Sequence, residues 1–189
     1  MPTLSVVIPS LGAATLGRTL ESICRQSLES GDQVIVVGDG LSYYAKIAES
    51  FCDRLPIEHH LYEDHCWGNP QRNWAIENRV RGDYLVWMDE DDVFADGAFS
   101  AIRNAAVEAP ERPLMFRFVT WDRRILWQQQ QIVMGAIGGH EFVTPNLPER
   151  LGRWARVYEG DYHFIATTLE RWPPESLVWR EEVIALCRP

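Results

Sequence analysis

The chain has 189 residues, of which 46% are hydrophobic and 24% are charged, close to the average for globular proteins. This composition excludes a disordered or fibrous chain, and the length predicts one domain over residues 1–189. No segment approaches the roughly 18 consecutive apolar residues of a membrane span. The first ten residues also lack the basic and apolar regions of a signal peptide, so we expect a cytoplasmic protein.

The net charge of −9 arises entirely in the first part of the chain. Residues 1–110 carry 17 acidic and 8 basic side chains, whereas residues 111–189 carry ten of each. A nucleic-acid partner normally requires an excess of positive charge, so we expect none. Carboxylates that repel one another favour a bound cation, which makes residues 1–110 the candidate metal-binding segment.

The four cysteines, Cys24, Cys52, Cys66 and Cys187, are far apart in the sequence. None belongs to a C-x-x-C pair, which argues against a disulfide framework and against a zinc knuckle. We therefore expect reduced thiols, as is usual in the cytosol.

Strand and helix signals alternate through the first half of the chain. Apolar runs predict strands at residues 4–9, 33–37, 57–62 and 84–88. Helical periodicity predicts a helix that follows Thr15 and stops at Gly31, and further helices at residues 42–52, 69–79 and 96–108. This order predicts a parallel sheet with helices on both faces. Three polar strand ends then share one edge of the sheet: Pro9-Ser10, Gly38-Asp39-Gly40 and Asp89 to Asp92.

The second half of the chain is less regular. We predict strands at residues 113–119 and 125–133, joined by a turn at residues 121–124. A short strand at residues 142–143 and a helix at residues 159–170 follow, with loop or helix between them. These elements predict an irregular C-terminal lobe of the same domain.

Four consecutive acids, Asp89 to Asp92, directly follow an apolar strand. Mg²⁺ or Mn²⁺ often binds one or two carboxylates together with substrate phosphates. Alternate residues of an extended segment point the same way, so Asp89 and Asp91 can face one ligand while Asp92 faces the metal or another part of the pocket. The alternative is a solvated acidic loop that caps the helix starting near Asp96.

Three other segments carry candidate binding or catalytic residues. Asp39 can accept hydrogen bonds from a nucleobase or ribose, or it can belong to an ordinary Asp-Gly turn. Arg72 can contact a phosphate or a base and Asn69 or Asn73 can orient a loop, or the segment can be a helix cap with a surface arginine. Within residues 159–163 an acid can act as a general base, and His163 can be a ligand, a base or a core residue.

Four segments in this order resemble the nucleotide-binding half of an inverting family 2 glycosyltransferase of the GT-A type. They are LSVVIPS at 4–10, VIVVGDG at 34–40, NPQRNWAI at 69–76 and GDYLVWMDEDD at 82–92. The resemblance is good over about the first 110 residues. Over residues 111–189 it rests mainly on Gly138-Gly139 and Glu159-Gly160-Asp161.

The resemblance implies an α/β fold of the GT-A, or nucleotide-diphospho-sugar transferase, kind. Its central sheet is mostly parallel with helices on both faces, and residues 111–189 form an irregular acceptor-binding half. The resemblance also implies a nucleotide-sugar donor, with a UDP-sugar favoured, and an Mn²⁺ or Mg²⁺ ion. The implied reaction is a hexosyltransferase-like transfer to a carbohydrate, protein or other hydroxyl acceptor.

Donor-binding roles follow from the same resemblance. Pro9 and Ser10 match the loop that contacts the nucleoside, and Asp39 matches the acid that reads the base. Arg72 matches the basic residue near the nucleotide. Asp89 matches the first acid of the family's DxD element.

The resemblance further implies metal ligands and a catalytic base. Asp91 matches the second acid of the DxD element, Asp92 is a further metal candidate, and His163 is the candidate for a late metal-binding histidine. Asp161 matches the catalytic base. Because Gly160 separates it from Glu159, both acids remain candidates.

Two other functions are compatible with this fold. A sugar-nucleotide nucleotidyltransferase should carry a glycine-rich loop with Lys or Arg after the first strand, whereas residues 10–18 hold two glycines and only Arg18. A non-catalytic carbohydrate-binding module would not need Asp89, Asp91 and Asp161. Hydrolysis of a donor in the presence of Mn²⁺ would separate a catalyst from such a binder.

Overall fold

The computed structural model describes residues 1–40 and 43–188. Within these residues the chain forms nine strands and five α-helices. The strands are β1 (Leu4–Ser10), β2 (Gln33–Gly38), β3 (Ile57–Leu61), β4 (Tyr84–Trp87), β5 (Val93–Phe94), β6 (Leu114–Val119), β7 (Ile125–Leu126), β8 (Phe142–Pro145) and β9 (Val178–Leu186). The helices are α1 (Leu16–Cys24), α2 (Tyr43–Glu49), α3 (Asn69–Asn78), α4 (Ala98–Glu108) and α5 (Gly160–Leu169).

The described strands form one sheet in the order β3-β2-β1-β4-β8-β6-β9-β5, with β7 paired to β6. β1 pairs in parallel with β2 and β4, and β2 pairs in parallel with β3. β4 pairs antiparallel with β8, and β8 pairs antiparallel with β6, so the sheet continues from the first half of the chain into the second. The carboxyl ends of β1, β2 and β4 consequently lie side by side, as the order of elements predicts.

Both faces of the sheet are covered, because successive strand residues point in opposite directions. On one face Leu4, Val6 and Ile8 pack with side chains of α1, α2 and α4. On the other face Val7 packs with Trp87 and with side chains of α3 and α5. This two-sided burial explains why β1, β2 and β4 read as continuous apolar runs.

The predicted elements of the first half are present, with differences at their ends. Thr15 precedes α1, but its side chain makes no capping hydrogen bond, and the helix ends at Cys24 rather than at Gly31. Gly31 instead takes a positive φ of +102° in the turn before β2. The predicted start of the second helix, Ser42, lies outside the described residues. The short strand β5 was not predicted, and it delays the start of the next helix to Ala98.

The second half departs further from the predictions. The strand predicted at residues 125–133 is wrong beyond Leu126, because the four glutamines at 128–131 are exposed and form no ladder. β9 was not predicted, since Arg180, Glu181 and Glu182 interrupt its apolar pattern. It pairs in parallel with β6 and antiparallel with β5.

None of the helices in the described residues combines the length and apolar character that a bilayer crossing demands. All four cysteines are free thiols.

Candidate active site

The acidic loop, residues 89–92, leaves the sheet between two adjoining cavities. The outer cleft has a volume of about 760 Å³, and its walls include Pro9, Ser10, Asp39, Glu90 and Asp91. The deep cavity has a volume of about 400 Å³, and its walls include Arg72, His140, Trp154, Glu159 and Asp161. Trp67 and Asp89 line both. The fold thus brings together most of the residues that the sequence singles out.

Glu90 ties the loop after β1 to the acidic loop. Its Oε2 accepts hydrogen bonds from Ser10 Oγ at 2.5 Å and from the backbone N–H of Ala13 at 3.1 Å. Its Oε1 accepts one from the backbone N–H of Leu11 at 2.9 Å. No role was predicted for Glu90 from the sequence. Its place between the two acids of a DxD pattern was a signal that could have indicated one.

Asp39 is buried in the wall of the outer cleft. Its Oδ1 accepts a hydrogen bond from the backbone N–H of Asp64 and lies 3.0 Å from Nδ1 of His65. Its own N–H donates to the carbonyl of Ser10 at 2.8 Å. Gly40 takes a φ of +103°, and the carboxylate of Asp39 lies in the cleft.

Arg72 joins α3 to the acidic loop from a buried position. Its Nη2 forms an ion pair with Asp89, and its Nη1 donates to the carbonyl of Trp67 at 3.1 Å. Its guanidinium carbon lies 4.5 Å from the ring centre of Trp154. Burial raises the pKa of Asp89, but the charge of Arg72 and the contact with His140 outweigh this and hold the pKa well below its usual range. Only 6% of the surface of Arg72 is exposed, so the alternative interpretation of a surface arginine beside a helix cap is wrong.

Two asparagines of α3 hold a segment of the second half against the first. Asn69 Nδ2 donates to the carbonyls of Ala155 and Val157 at 2.8 and 2.9 Å. Asn73 bonds Trp154 twice, donating to its carbonyl at 2.9 Å and accepting from its N–H at 3.0 Å. These contacts confirm that Asn69 and Asn73 orient a loop.

His140 lies against the acidic loop, and sequence reasoning missed it. Its Nε2 is 2.6 Å from Asp92 Oδ2 and 3.4 Å from Asp89 Oδ2. Burial lowers the pKa of His140, but the two carboxylates outweigh this and raise it to about 10. The imidazolium therefore balances part of the negative charge of the loop. His140 lies in a single 3₁₀ turn, Gly139–Glu141, whose sequence carries no spacing signal.

His163, the metal ligand expected from the sequence, is not brought to the acidic loop. It lies two residues beyond Asp161 in α5. Side chains two positions apart in an α-helix point about 200° apart, so His163 and Asp161 face different directions. Its ring packs against Tyr162, with 5.6 Å between ring centres. Among the described residues, the groups of side chains able to share a metal ion are Asp89-Asp91-Asp92 and Asp92-His140-Cys187. His140, rather than His163, is the histidine that lies beside Asp89 and Asp92.

Asp161 and Glu159 both line the deep cavity, so the structure keeps both as candidate bases. Asp161 lies in the first turn of α5, and its Oδ1 accepts a hydrogen bond from the N–H of Tyr162 at 2.7 Å. Burial raises the pKa of Asp161, against the opposing effects of that hydrogen bond and of the cations Arg72 and His140. A higher pKa makes this carboxylate a stronger base.

Gly139 lies in the wall of the deep cavity, where a larger side chain would be crowded. A Cβ on Gly139 would lie 2.9 Å from the ring of Trp154 and 3.9 Å from the Cβ of Asp161. The neighbouring Gly138 donates its backbone N–H to Oε1 of Glu141 at 3.0 Å. Glu141 is fully buried, and burial raises its pKa to about 8, so it is protonated at neutral pH.

The residues after β9 cover the acidic loop. The backbone N–H of Arg188 donates to Asp92 Oδ1 at 2.8 Å, and its Nε donates to Asp91 Oδ2 at 2.9 Å. Burial and the neighbouring carboxylates raise the pKa of the Cys187 thiol far above its usual range. The acidic loop therefore makes specific contacts with protein groups while Asp89 and Asp91 stay partly exposed, and it is not a freely solvated run of charge.

Comparison with solved structures identifies the class of fold. The chain is similar to S. aureus TarS, with a TM-score of 0.83 over 99% of this chain and 37% of that chain at 13% identity. It is also similar to TarS residues 1–349 in complex with UDP-GlcNAc, with a TM-score of 0.79 over 98% of this chain and 58% of that chain at 14% identity. This likeness shows the fold, and the predicted GT-A fold is confirmed.

The sequence itself then gives the family. Residues 5–156 match glycosyl transferase family 2, so the chain belongs to that family, as its four ordered segments suggested. No curated protein matches the chain. The chain spans between 37% and 60% of the length of the TarS chains that it resembles.

Proposed function

We propose that this chain transfers a sugar, with inversion, from a nucleoside-diphosphate sugar to an acceptor hydroxyl in a metal-dependent reaction. One observation carries the proposal: the acidic loop separates the outer cleft, which contains Asp39, from the deep cavity, which contains Asp161. A nucleoside in the outer cleft would contact Pro9, Ser10 and Asp39. Its diphosphate would then reach the acidic loop and its sugar the deep cavity.

A UDP-sugar is the proposed donor. TarS residues 1–349 have been solved in complex with UDP-GlcNAc and with UDP, which supports this choice. Residues 1–110 would hold the donor. Residues 111–189, which supply Gly139, Trp154 and Asp161 to the deep cavity, would hold a carbohydrate, protein or other hydroxyl acceptor.

The acidic loop fits a hard divalent cation, because Asp89, Asp91 and Asp92 each offer a carboxylate oxygen and these atoms lie within 4.8 Å of one another. When bound, Mn²⁺ or Mg²⁺ would supply Lewis-acid neutralisation of the charge that develops on the departing diphosphate. Arg72 and Arg188, which pair with Asp89 and Asp91, add two guanidinium groups that favour phosphate oxygens.

Asp161 is the proposed general base. Its carboxylate would take the proton of the acceptor hydroxyl as the acceptor oxygen forms its bond to the anomeric carbon. The bond from that carbon to the diphosphate breaks on the opposite face, so one displacement inverts the centre. The raised pKa of Asp161 favours proton removal. Glu159, in the same cavity, is the competing base.

Donor binding is tested by thermal unfolding with UDP-, GDP-, TDP- and CDP-sugars, each with and without Mn²⁺. A ligand that binds only the native state raises the melting temperature by mass action. We expect the largest rise with a UDP-sugar and Mn²⁺ together, and a smaller rise in Asp39→Asn. The absence of any rise with all four donors would contradict the proposal.

The base is tested by a matched pair of variants. Asp161→Asn should lower transfer or donor hydrolysis by about 10²- to 10⁴-fold, the usual contribution of a general base, while the donor-induced thermal shift remains. Glu159→Gln should keep turnover close to that of the unmodified chain. The reverse pattern would assign the base to Glu159. Full turnover in both variants would refute a carboxylate base in this cavity.

A further inference from the structure

Two large aromatic side chains lie exposed side by side in the lining of the deep cavity. Trp67 and Tyr158 have 67% and 72% of their surface exposed, and both line the cavity that contains Asp161. Their rings meet edge to face, with 5.0 Å between ring centres and 80° between ring planes. Contiguous exposed apolar surface marks binding sites, whereas apolar side chains exposed singly need no explanation. The pair is therefore a candidate binding surface.

The backbone at Trp67 is strained in a way that a smaller residue would avoid. Trp67 and Gly68 take φ angles of +56° and +72°, and across them the N–H of Asn69 donates to the carbonyl of Cys66 at 3.0 Å. A turn with two successive positive φ angles favours Gly, Asn or Asp at both central positions. A bulky side chain is costly there, and strain of this kind clusters at ligand-binding sites. The position of Trp67 therefore indicates a role in binding rather than in folding.

The segment that carries Tyr158 is fixed against this turn by backbone contacts. Asn69, which follows the turn, donates from Nδ2 to the carbonyl of Val157 at 2.9 Å. The N–H of Gly160 donates to the same carbonyl at 3.2 Å. The backbone on both sides of Tyr158 is thus held, although the ring itself is exposed. An aromatic pair that is already positioned loses little conformational freedom when a ligand binds, which favours affinity.

The walls around the pair suit a sugar ring better than an alkyl chain. Arg72, Glu159 and Asp161 line the same cavity, and an alkyl chain would remove water from their charged groups without replacing its hydrogen bonds. A pyranose has an apolar C–H face that packs on an aromatic ring and a rim of hydroxyls that bond to charged groups. The indole N–H groups of Trp87 and Trp154, which also line the cavity, are buried without a hydrogen-bond partner among the described residues. Hydroxyl oxygens would satisfy such donors.

We propose that Trp67 and Tyr158 form a platform on which the acceptor stacks, and that this acceptor is a carbohydrate whose reacting hydroxyl belongs to a pyranose ring. This assignment rests on the proposed function, because it names the substrate class of the same site. Tyr158 directly precedes Glu159 and lies three residues before Asp161, so the platform belongs to the wall that carries the candidate bases. Trp67 also lines the outer cleft, so stacking of Trp67 on the nucleobase is the competing assignment.

Saturation-transfer difference NMR on the full chain, with and without UDP and Mn²⁺, tests the platform in the absence of turnover. The probes are the methyl glycosides of glucose, galactose, mannose and N-acetylglucosamine, with sorbitol and octanol as ligands that lack a pyranose ring. We expect saturation of the ring C–H protons of at least one glycoside and of neither sorbitol nor octanol. Tyr158→Ala and Trp67→Asn should each weaken binding of that glycoside roughly tenfold.

Matched variants control for loss of the fold. Tyr158→Phe keeps the ring and should keep glycoside binding. Trp121→Ala removes a tryptophan that is 70% exposed in the turn after β6, and it should leave binding unchanged. Trp67→Asn suits the positive φ at this position, so its melting temperature should not fall. No saturation of any glycoside, equal saturation of sorbitol or octanol, or unchanged binding in Tyr158→Ala and Trp67→Asn would overturn the proposal.

Donor measurements separate this assignment from the proposed function. The thermal shift with a UDP-sugar and Mn²⁺ should be the same in Tyr158→Ala, Trp67→Asn and the unmodified chain, whereas the KM for the glycoside acceptor should rise roughly tenfold in both variants. A smaller donor shift in Trp67→Asn alone would assign Trp67 to the nucleobase and overturn the platform. Glycoside binding without any donor shift in the unmodified chain would count against the proposed function and not against the sugar platform.

Discussion

Glu141→Gln should gain stability relative to the unmodified protein as the pH rises from mild acid to alkaline. The Glu141 side chain has no exposed surface, and its Oε1 accepts the N–H of Gly138. Glutamine keeps the shape and the accepting oxygen but has no proton to lose. The added amide N–H groups change the free energy of unfolding by the same amount at every pH. The pH dependence of the difference between the two proteins therefore comes from the titration of the carboxyl group, which the variant lacks.

The expected magnitude follows from the pKa of the buried carboxyl group. Burial raises the pKa of Glu141 from its ordinary value of 4.5 to about 8. Between these values the native state keeps a proton that the unfolded chain has released, so the free energy of unfolding falls as the pH rises. The slope is about 1.4 kcal/mol per pH unit. The loss is complete above about pH 8 and is on the order of 5 kcal/mol.

Urea unfolding of both proteins at about pH 5, 7 and 9 measures this difference. The difference in free energy of unfolding should shift in favour of Glu141→Gln from the lowest pH to the highest. His140, whose pKa is raised to about 10, also titrates in this range. It is present in both proteins, so most of its contribution cancels in the difference, and the remainder is its charge interaction with Glu141, which lowers the pKa of that carboxyl group. A difference that does not change with pH would refute the reasoning.

Further predictions concern packing and a buried ion pair. Gly139→Ala should lower the free energy of unfolding by about 1 to 3 kcal/mol in urea, because its Cβ would lie 2.9 Å from the Trp154 ring. Gly17→Ala, with nothing within 4 Å in α1, should instead add about 0.5 to 1 kcal/mol. Arg103→Met should lower the free energy of unfolding by about 3 to 5 kcal/mol, because it leaves Asp32 buried without its charged partner. Adding Asp32→Asn should recover part of that loss, and no recovery would argue against an electrostatic origin.

Much of the first half of the site was predictable because it depends on local pattern. Continuous apolar runs mark β1, β2 and β4, and parallel pairing places the residues that follow them at one edge. Ser10 ends β1, Asp39 and Asp89 follow β2 and β4, and the structure places all three around the outer cleft. The position of Arg72 in the first turn of α3 was predictable in the same way, because it depends on the local helix pattern.

The remainder of the site depends on long-range pairing that local pattern does not encode. His140 lies in a turn without periodicity, and Cys187 reaches the acidic loop only through the pairing of β9 with β5 and β6. Three successive charged residues interrupt the apolar pattern of β9, so the sequence does not indicate a strand there. His163 was predicted as a metal ligand because it was the candidate late histidine of the resemblance, but the helical rotation between it and Asp161 turns it away from the cavity.

The asparagine contacts of α3 set a condition on recombining this protein with its relatives. Asn69 and Asn73 hold backbone atoms of Trp154, Ala155 and Val157, and β4 of the first half pairs with β8 of the second. A hybrid that grafts a foreign second half after residue 110 would have to reproduce both sets of contacts. Libraries that vary residues 121–138 and retain residues 142–157 would change the rim of the deep cavity while preserving the contacts that align its walls.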